Sequence, residues 1–232
     1  MNLCRNNIVE SPLFESELLQ KLQANNNGHP NILHHEKSFM VDEKLHVGIF
    51  ELWPEDLFSH VSNREAKGNR LSLEEVSYHF NKILQGTNHL HERLIAHLDI
   101  ALENVLLAPT PSRFHPHSSA PGSVLCDLGQ AVQLLAADDM LPGTREFYRG
   151  RTQYMAPEIF SGKSYNAFKV FFLFFFFSLY LYFFNILMNS NCCLYLFNRL
   201  ICLAVEYYSS FSSLGCLHFT SPLSRILALE LL

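Results

Sequence analysis

Asp99 stands five residues before Asn104, inside the run Leu94-Ile-Ala-His-Leu-Asp-Ile-Ala-Leu-Glu-Asn-Val-Leu-Leu107. A second acid, Asp127, opens an Asp-Leu-Gly just after the apolar Val124-Leu125-Cys126. A carboxylate and an amide oxygen are hard ligands of the kind Mg²⁺ accepts. Taken singly these residues say little, because Asp and Asn are common loop residues and Asp-Leu-Gly is ordinarily a turn. Asn104 and Asp127 would lie close together if residues 105–107 and 124–126 pair as strands.

Several elements must hold such a site. Phe14, Leu18, Leu19 and Leu22 form a helical stripe that ends at Asn25-Asn26-Asn27-Gly28 and leads into His29-Pro30-Asn31-Ile32. Ser38–Val41 and His46–Phe50 flank Asp42-Glu43-Lys44 and predict a hairpin. Pro54–Val61 predicts a short helix with Asp56 near its start, where an acid is favourable with the dipole. Asn63–Asn69 reads as a polar loop. Ser72-x-x-Glu75 is a capping-box pattern, and apolar residues at 76, 80, 83, 84, 90 and 94 predict a long helix behind it. Ala108–Ser123, rich in Pro, Ser and His, predicts a surface insertion.

In order, these landmarks resemble the eukaryotic protein kinase domain. They run from a helix C-like stripe and H-P-N-I through hinge-like, helix D-like and helix E-like segments to H-x-D-x-x-x-E-N, D-L-G and Y-M-A-P-E (Tyr154–Glu158). They cover residues 14–168, about two-thirds of the chain. The resemblance implies an α+β, incomplete protein-kinase-like bilobal fold. It makes Asp99 the base that accepts a hydroxyl proton, and Asn104 and Asp127 the Mg²⁺ ligands beside ATP. It sets Phe50, Glu51 and Trp53 at the adenine edge and Asp56 near the ribose. It gives Glu15 the role of the helix C glutamate, with Glu17 as an alternative. It makes Glu158 a structural ion-pair partner. Thr144, Tyr148 and Thr152 fall in the implied activation segment as phosphorylation candidates.

The departures from the family pattern are specific. The residues before Glu15 contain no glycine and no lysine, so the glycine-rich loop and the phosphate-gripping lysine have no counterpart in them. Leu98 replaces the Arg of H-R-D, so activation through that Arg and a loop phosphate is not expected. Ala101 stands at the usual Lys and Arg151 at the usual Thr, which makes Arg151 an auxiliary candidate for the missing charge. The H-L-D and the basic loop residue resemble the divergent FIKK-type kinases. Helix F and the later helices of the family are not recognisable.

Composition changes near residue 169. Residues 1–169 read as a partial protein kinase domain. Residues 170–232 are a hydrophobic tail whose only charges are Arg199, Glu206, Arg225 and Glu230. Val170–Met188 is an uncharged stretch of transmembrane length. Poly-Phe is also what T-rich non-coding DNA encodes, so intron read-through is the competing account. The net charge of −5 excludes a basic nucleic-acid footprint. The six Cys show no C-x-x-C pair, which argues against zinc, and no disulfide framework is suggested.

The expected function is ATP·Mg-dependent phosphoryl transfer to protein Ser/Thr hydroxyls in a complete form. The literal chain is expected to be inactive or weakly active, and the alternative is a kinase-like fragment or pseudokinase that binds partners. The expected location is cytoplasmic, or membrane-associated if the tail is genuine. The protein substrate is not legible.

Overall fold

The computed structural model describes residues 12–24, 28–42, 45–108, 122–151, 154–155, 159 and 162–168. Helix α1 spans Pro12–Gln23 and starts on proline, whose missing N–H costs nothing in the first turn. Its buried face is Ser16, Leu18, Leu19 and Leu22, close to the stripe read from the sequence. The chain then enters the interior. Leu33 N–H donates to the Leu125 carbonyl at 2.8 Å, and Leu125 N–H donates back to the Asn31 carbonyl at 2.9 Å. Asn31, fully buried, adds a side-chain bond from Nδ2 to the Ser123 carbonyl at 2.8 Å.

Strands β1 (His35–Val41) and β2 (Leu45–Phe50) form the expected antiparallel hairpin. Phe39, Leu45 and Ile49 on one face of the hairpin and Met40 on the other are exposed. Strand β3 (Glu55–Asp56) leads into α2 (Leu57–Ala66). The helix therefore runs through residues expected to be loop. Asp56 caps its start, and Arg64 near its end ion-pairs with Glu75, so polar Asn63–Ala66 is held helical by partners outside the segment. Helix α3 (Leu73–His91) has the full capping box, with Ser72 and Glu75 exchanging bonds. It buries Val76, Phe80, Ile83, Leu84 and Leu90.

Strands β4 (Ile95–Ala96), β5 (Val105–Ala108) and β6 (Gly122–Leu125) come next. Strand β5 pairs antiparallel with both β3 and β6, in the register Val105↔Leu125 and Leu106↔Val124. Gly122 and Ser123 thus belong to a strand, while residues 109–121 of the expected insertion lie outside the described residues. Two further two-residue pairings close the described part. Strand β4 pairs with β7 (Val132–Gln133), and β8 (Met140–Leu141) pairs with β9 (Tyr165–Asn166). Among the described residues no helix is long and apolar enough to cross a membrane. The tail, including 170–188, lies outside them.

Gly86 lets α3 approach the core segment closely. A Cβ there would sit 2.6 Å from the Asn31 carbonyl oxygen and 3.1 Å from Leu125 Cδ1. Helix propensity alone favours Ala over Gly by about 1 kcal/mol. The clash with backbone outweighs it, so Gly86→Ala is expected to destabilise by about 1–3 kcal/mol. A urea unfolding curve reads the sign directly; stabilisation would contradict the packing argument.

Buried imidazoles make the fold acid-sensitive. Burial pushes His79 down to about 4 from 6.5, and burial with His97 nearby pushes His91 down to about 3. Above pH 6.5 both states carry neutral rings and stability is complete. Below it the unfolded chain takes up protons that the folded chain refuses, so stability falls as pH drops towards 4. The urea midpoint at a series of pH values checks this, and a midpoint rising on acidification through that window contradicts it.

Candidate active site

The end of α3 delivers the chain to the site through two left-handed residues, Leu94 (φ 58°) and Leu98 (φ 62°). This conformation is costly for a leucine, about 1–2 kcal/mol. Between them, β4 and the bond from Leu134 N–H to the Leu94 carbonyl at 2.8 Å anchor the turn. His97 is buried and spans the site. Its Nδ1 accepts from Asp99 N–H at 3.3 Å, so its Nε2 is the donor to the Cys126 carbonyl at 3.1 Å. Burial holds this ring below the ordinary histidine pKa, against the opposing pull of Asp99 and Asp127.

Asp99 is 3% exposed and Asn104 4%. A 3-10 turn over Leu102–Asn104 brings them together. Asn104 Nδ2 donates to the Asp99 carbonyl at 2.8 Å and to Asp99 Oδ2 at 3.0 Å. Both bonds orient the amide, leaving its Oδ1 pointing the other way. The Asn104 carbonyl accepts from Cys126 N–H at 3.0 Å, which brings the next residue, Asp127, to the same end of the β5–β6 hairpin. Asp127 is left-handed (φ 64°) and exposed, and its Oδ1 takes a long bond from Gly129 N–H at 3.3 Å.

Glu15, not the exposed Glu17, reaches this turn: its Oε1 accepts from Leu128 N–H at 2.9 Å. The Cys126 thiol registers the resulting field. Burial first, then the carboxylates of Asp127, Glu15 and Asp56, push it up to about 12, with Arg151 opposing. Three acids thus act on one point.

Arg151 is the cation of the site. Its backbone N–H donates to Asp99 Oδ1 at 3.1 Å, and its Nη2 donates to Asn104 Oδ1 at 3.1 Å. Its Nη1 ion-pairs with Glu103 Oε2 at 3.1 Å, and Nη2 lies 4.0 Å from Asp99 Oδ2. Tyr154 Oη donates to the same Glu103 oxygen at 3.2 Å. Gly150 (φ 84°) permits the approach, since a Cβ there would collide with the Leu98 carbonyl. Its N–H is held by Gln130 Oε1. Ala101 is fully buried at the foot of the turn.

The expected nucleotide edge is placed differently, residue by residue. Trp53 is buried, packing with Leu33 and Val124 against half-buried Leu106 and Cys126, so its side chain is core. Phe50, at the end of β2, is partly exposed and meets the His35 ring at 5.2 Å, tilted by 58°. Glu51 N–H donates to the His34 carbonyl at 3.3 Å. Asp56 spends both carboxylate oxygens on Ser59, on its N–H at 2.8 Å and its hydroxyl at 2.7 Å. Burial works to raise its pKa, and those bonds outweigh it and hold the carboxyl low. Asp56 is therefore engaged as a helix cap.

Sequence reasoning missed Leu106 and Cys126 as the half-exposed apolar surface beside Asn104 and Asp127. Nothing in the uniformly apolar Val105-Leu106-Leu107 singles out Leu106 in the sequence. It also missed Glu103 as the hub between Arg151 and Tyr154. Thr144 is exposed and Tyr148 half-buried; Thr152 and Glu158, with the rest of Ala156-Pro157-Glu158, lie outside the described residues.

A family model described as protein kinase domain matches residues 5–171. The chain belongs to the protein kinase family, and its fold is an α+β, protein-kinase-like one. The serine/threonine-protein kinase SRK2F of Arabidopsis thaliana is 29% identical over 139 residues, 60% of this chain and 35% of that kinase. The serine/threonine-protein kinase SAPK4 of Oryza sativa subsp. japonica is 28% identical over 139 residues, 60% of this chain and 34% of its own. The chain thus spans about a third of the length of these curated relatives. Among solved structures, a chain of the yeast RNA Pol II CTD kinase CTDK-1 complex superposes with a TM-score of 0.53 at 22% identity, covering 69% of this chain and 45% of that one. That likeness concerns the fold. Members of the family use ATP and Mg²⁺ generally and act on protein substrates.

Proposed function

We propose that this chain carries the catalytic-loop part of a protein kinase that transfers the γ-phosphoryl of ATP to Ser or Thr hydroxyls of a protein. The observation that carries the reading is the locked pair Asp99–Asn104 beside Asp127. Asp99 takes the hydroxyl proton as the new oxygen–phosphorus bond forms and the bond to the β-phosphate oxygen breaks. Asn104 Oδ1 and the Asp127 carboxylate would hold the Mg²⁺, which when bound offsets phosphate charge. Their chemistry fits, because Mg²⁺ takes one or two carboxylates plus neutral oxygens and keeps waters. Leu106 and Cys126 give the base an apolar surface, and the backbone of residues 50–53 offers its polar edge. Arg151 supplies positive charge where Ala101 has none. The serine/threonine assignment draws on the similarity to kinases so named. The change of composition at residue 169 supports residues 1–169 as the functional part.

The test is a thermal-shift and phosphate-transfer measurement on the 232-residue chain with ATP and Mg²⁺. A Mg²⁺·ATP-dependent shift that disappears in Asp127→Asn is expected. Absence of any Asp127-dependent shift or transfer would overturn the reading.

A further inference from the structure

The outward oxygen of Asn104 already faces a positive charge, that of Arg151. Both bonds from Asn104 Nδ2 go to Asp99, so the amide cannot flip without losing them. Oδ1 is then the one atom this side chain has for a hard cation. The Arg151 guanidinium, a donor-only group, occupies it at 3.1 Å. Two further contacts fix the geometry. The backbone N–H of Arg151 is tied to Asp99 Oδ1, so the residue is pinned at its backbone independently of its side chain. Glu103, half-buried, holds Nη1 in an ion pair at 3.1 Å. Nη1 is buried and meets Glu103 as an ion pair without an aligned hydrogen bond among the described residues.

We propose that Arg151 gates the metal pair. Its guanidinium and a divalent cation compete for Asn104 Oδ1, and the metal binds only as Nη2 leaves that oxygen, with Nη1 keeping its ion pair to Glu103. This rests on the reading of Asn104 and Asp127 as metal ligands. The argument is electrostatic: a guanidinium and a divalent cation cannot share one amide oxygen without strong repulsion at that separation. Arg151 thereby lowers the metal affinity of the resting chain. An anionic phosphate, which draws the guanidinium away, would restore that affinity, so metal and phosphate bind cooperatively.

The probe is Mn²⁺ alone, titrated by electron paramagnetic resonance into the 232-residue chain. Arg151→Gln is expected to bind Mn²⁺ about tenfold more tightly than the parent, a value scaled down from the bare Coulomb term because the side chain is partly exposed. Arg151→Lys retains a cation and its ion pair, and is expected to keep the parental affinity. Asp127→Asn and the Arg151→Gln/Asp127→Asn double variant are expected to lose the site. Equal Mn²⁺ affinity in the parent and Arg151→Gln, with Asp127-dependent binding intact, overturns the gate and leaves the metal pair standing. A gain in Arg151→Lys equal to that in Arg151→Gln also overturns competition by charge. No Asp127-dependent binding in any chain overturns the metal pair and the gate with it.

Discussion

On the proposed function, Asp99→Asn is expected to lower phosphoryl transfer by about 10²–10⁴-fold in a form of the protein that carries activity, the range a positioned general base contributes. The substitution is nearly isosteric, so the loss reports chemistry more than shape. It also carries a structural signature. Asp99 Oδ2 accepts from Asn104 Nδ2, and Oδ1 accepts from Arg151 N–H. An amide at position 99 must turn its own N–H₂ towards one of these donors. A buried donor facing a donor costs about 1–3 kcal/mol. The expected result is therefore a large fall in transfer with a modest fall in thermal midpoint. Radiolabel transfer to a protein substrate and a melting curve measure the two. Transfer within threefold of the parent would remove Asp99 from the role of base.

Phe80→Ala removes the largest fully buried side chain of α3, which is 1% exposed. Truncation of a buried Phe costs about 3–5 kcal/mol through lost transfer energy and the cavity left behind. Domains are stable by about 5–15 kcal/mol, so this one change takes a large share. The consequence extends to the site, because α3 hands the chain directly to Leu94 and the loop holding Asp99. Urea unfolding gives the free energy; a cost below about 1 kcal/mol would mean the helix does not rest on this contact.

The parts legible in the sequence are those governed by short-range rules. The α1 stripe, the β1–β2 hairpin and the Ser72–Glu75 box are each written within a few residues, and all appear as read. The β5–β6 pairing was legible because two short apolar runs flank a polar insertion, and it brings Asn104 beside Asp127 as that pairing requires. Other features depend on distant partners. Helix α2 extends to Ala66 because Arg64 meets Glu75 across the intervening loop. Strands β4, β7, β8 and β9 are two residues each, too short for any period to register. Glu103 and Arg151 lie 48 positions apart, and nothing local marks their contact. The choice between Glu15 and Glu17 needed the helix rotation, which only the packing of Leu18, Leu19 and Leu22 supplies.

Cys126 has a consequence for labelling chemistry. Its thiol is pushed up to about 12, so at neutral pH almost none of it is thiolate, the form that attacks an alkylating reagent. At neutral pH it is therefore a slow-reacting cysteine. Positive charge brought close to the sulfur will lower that pKa and raise the reactivity, as Arg151 already does in part. The rate of iodoacetamide capture at Cys126 is thus a built-in gauge of the charge held at the site, with no reporter group needing to be introduced.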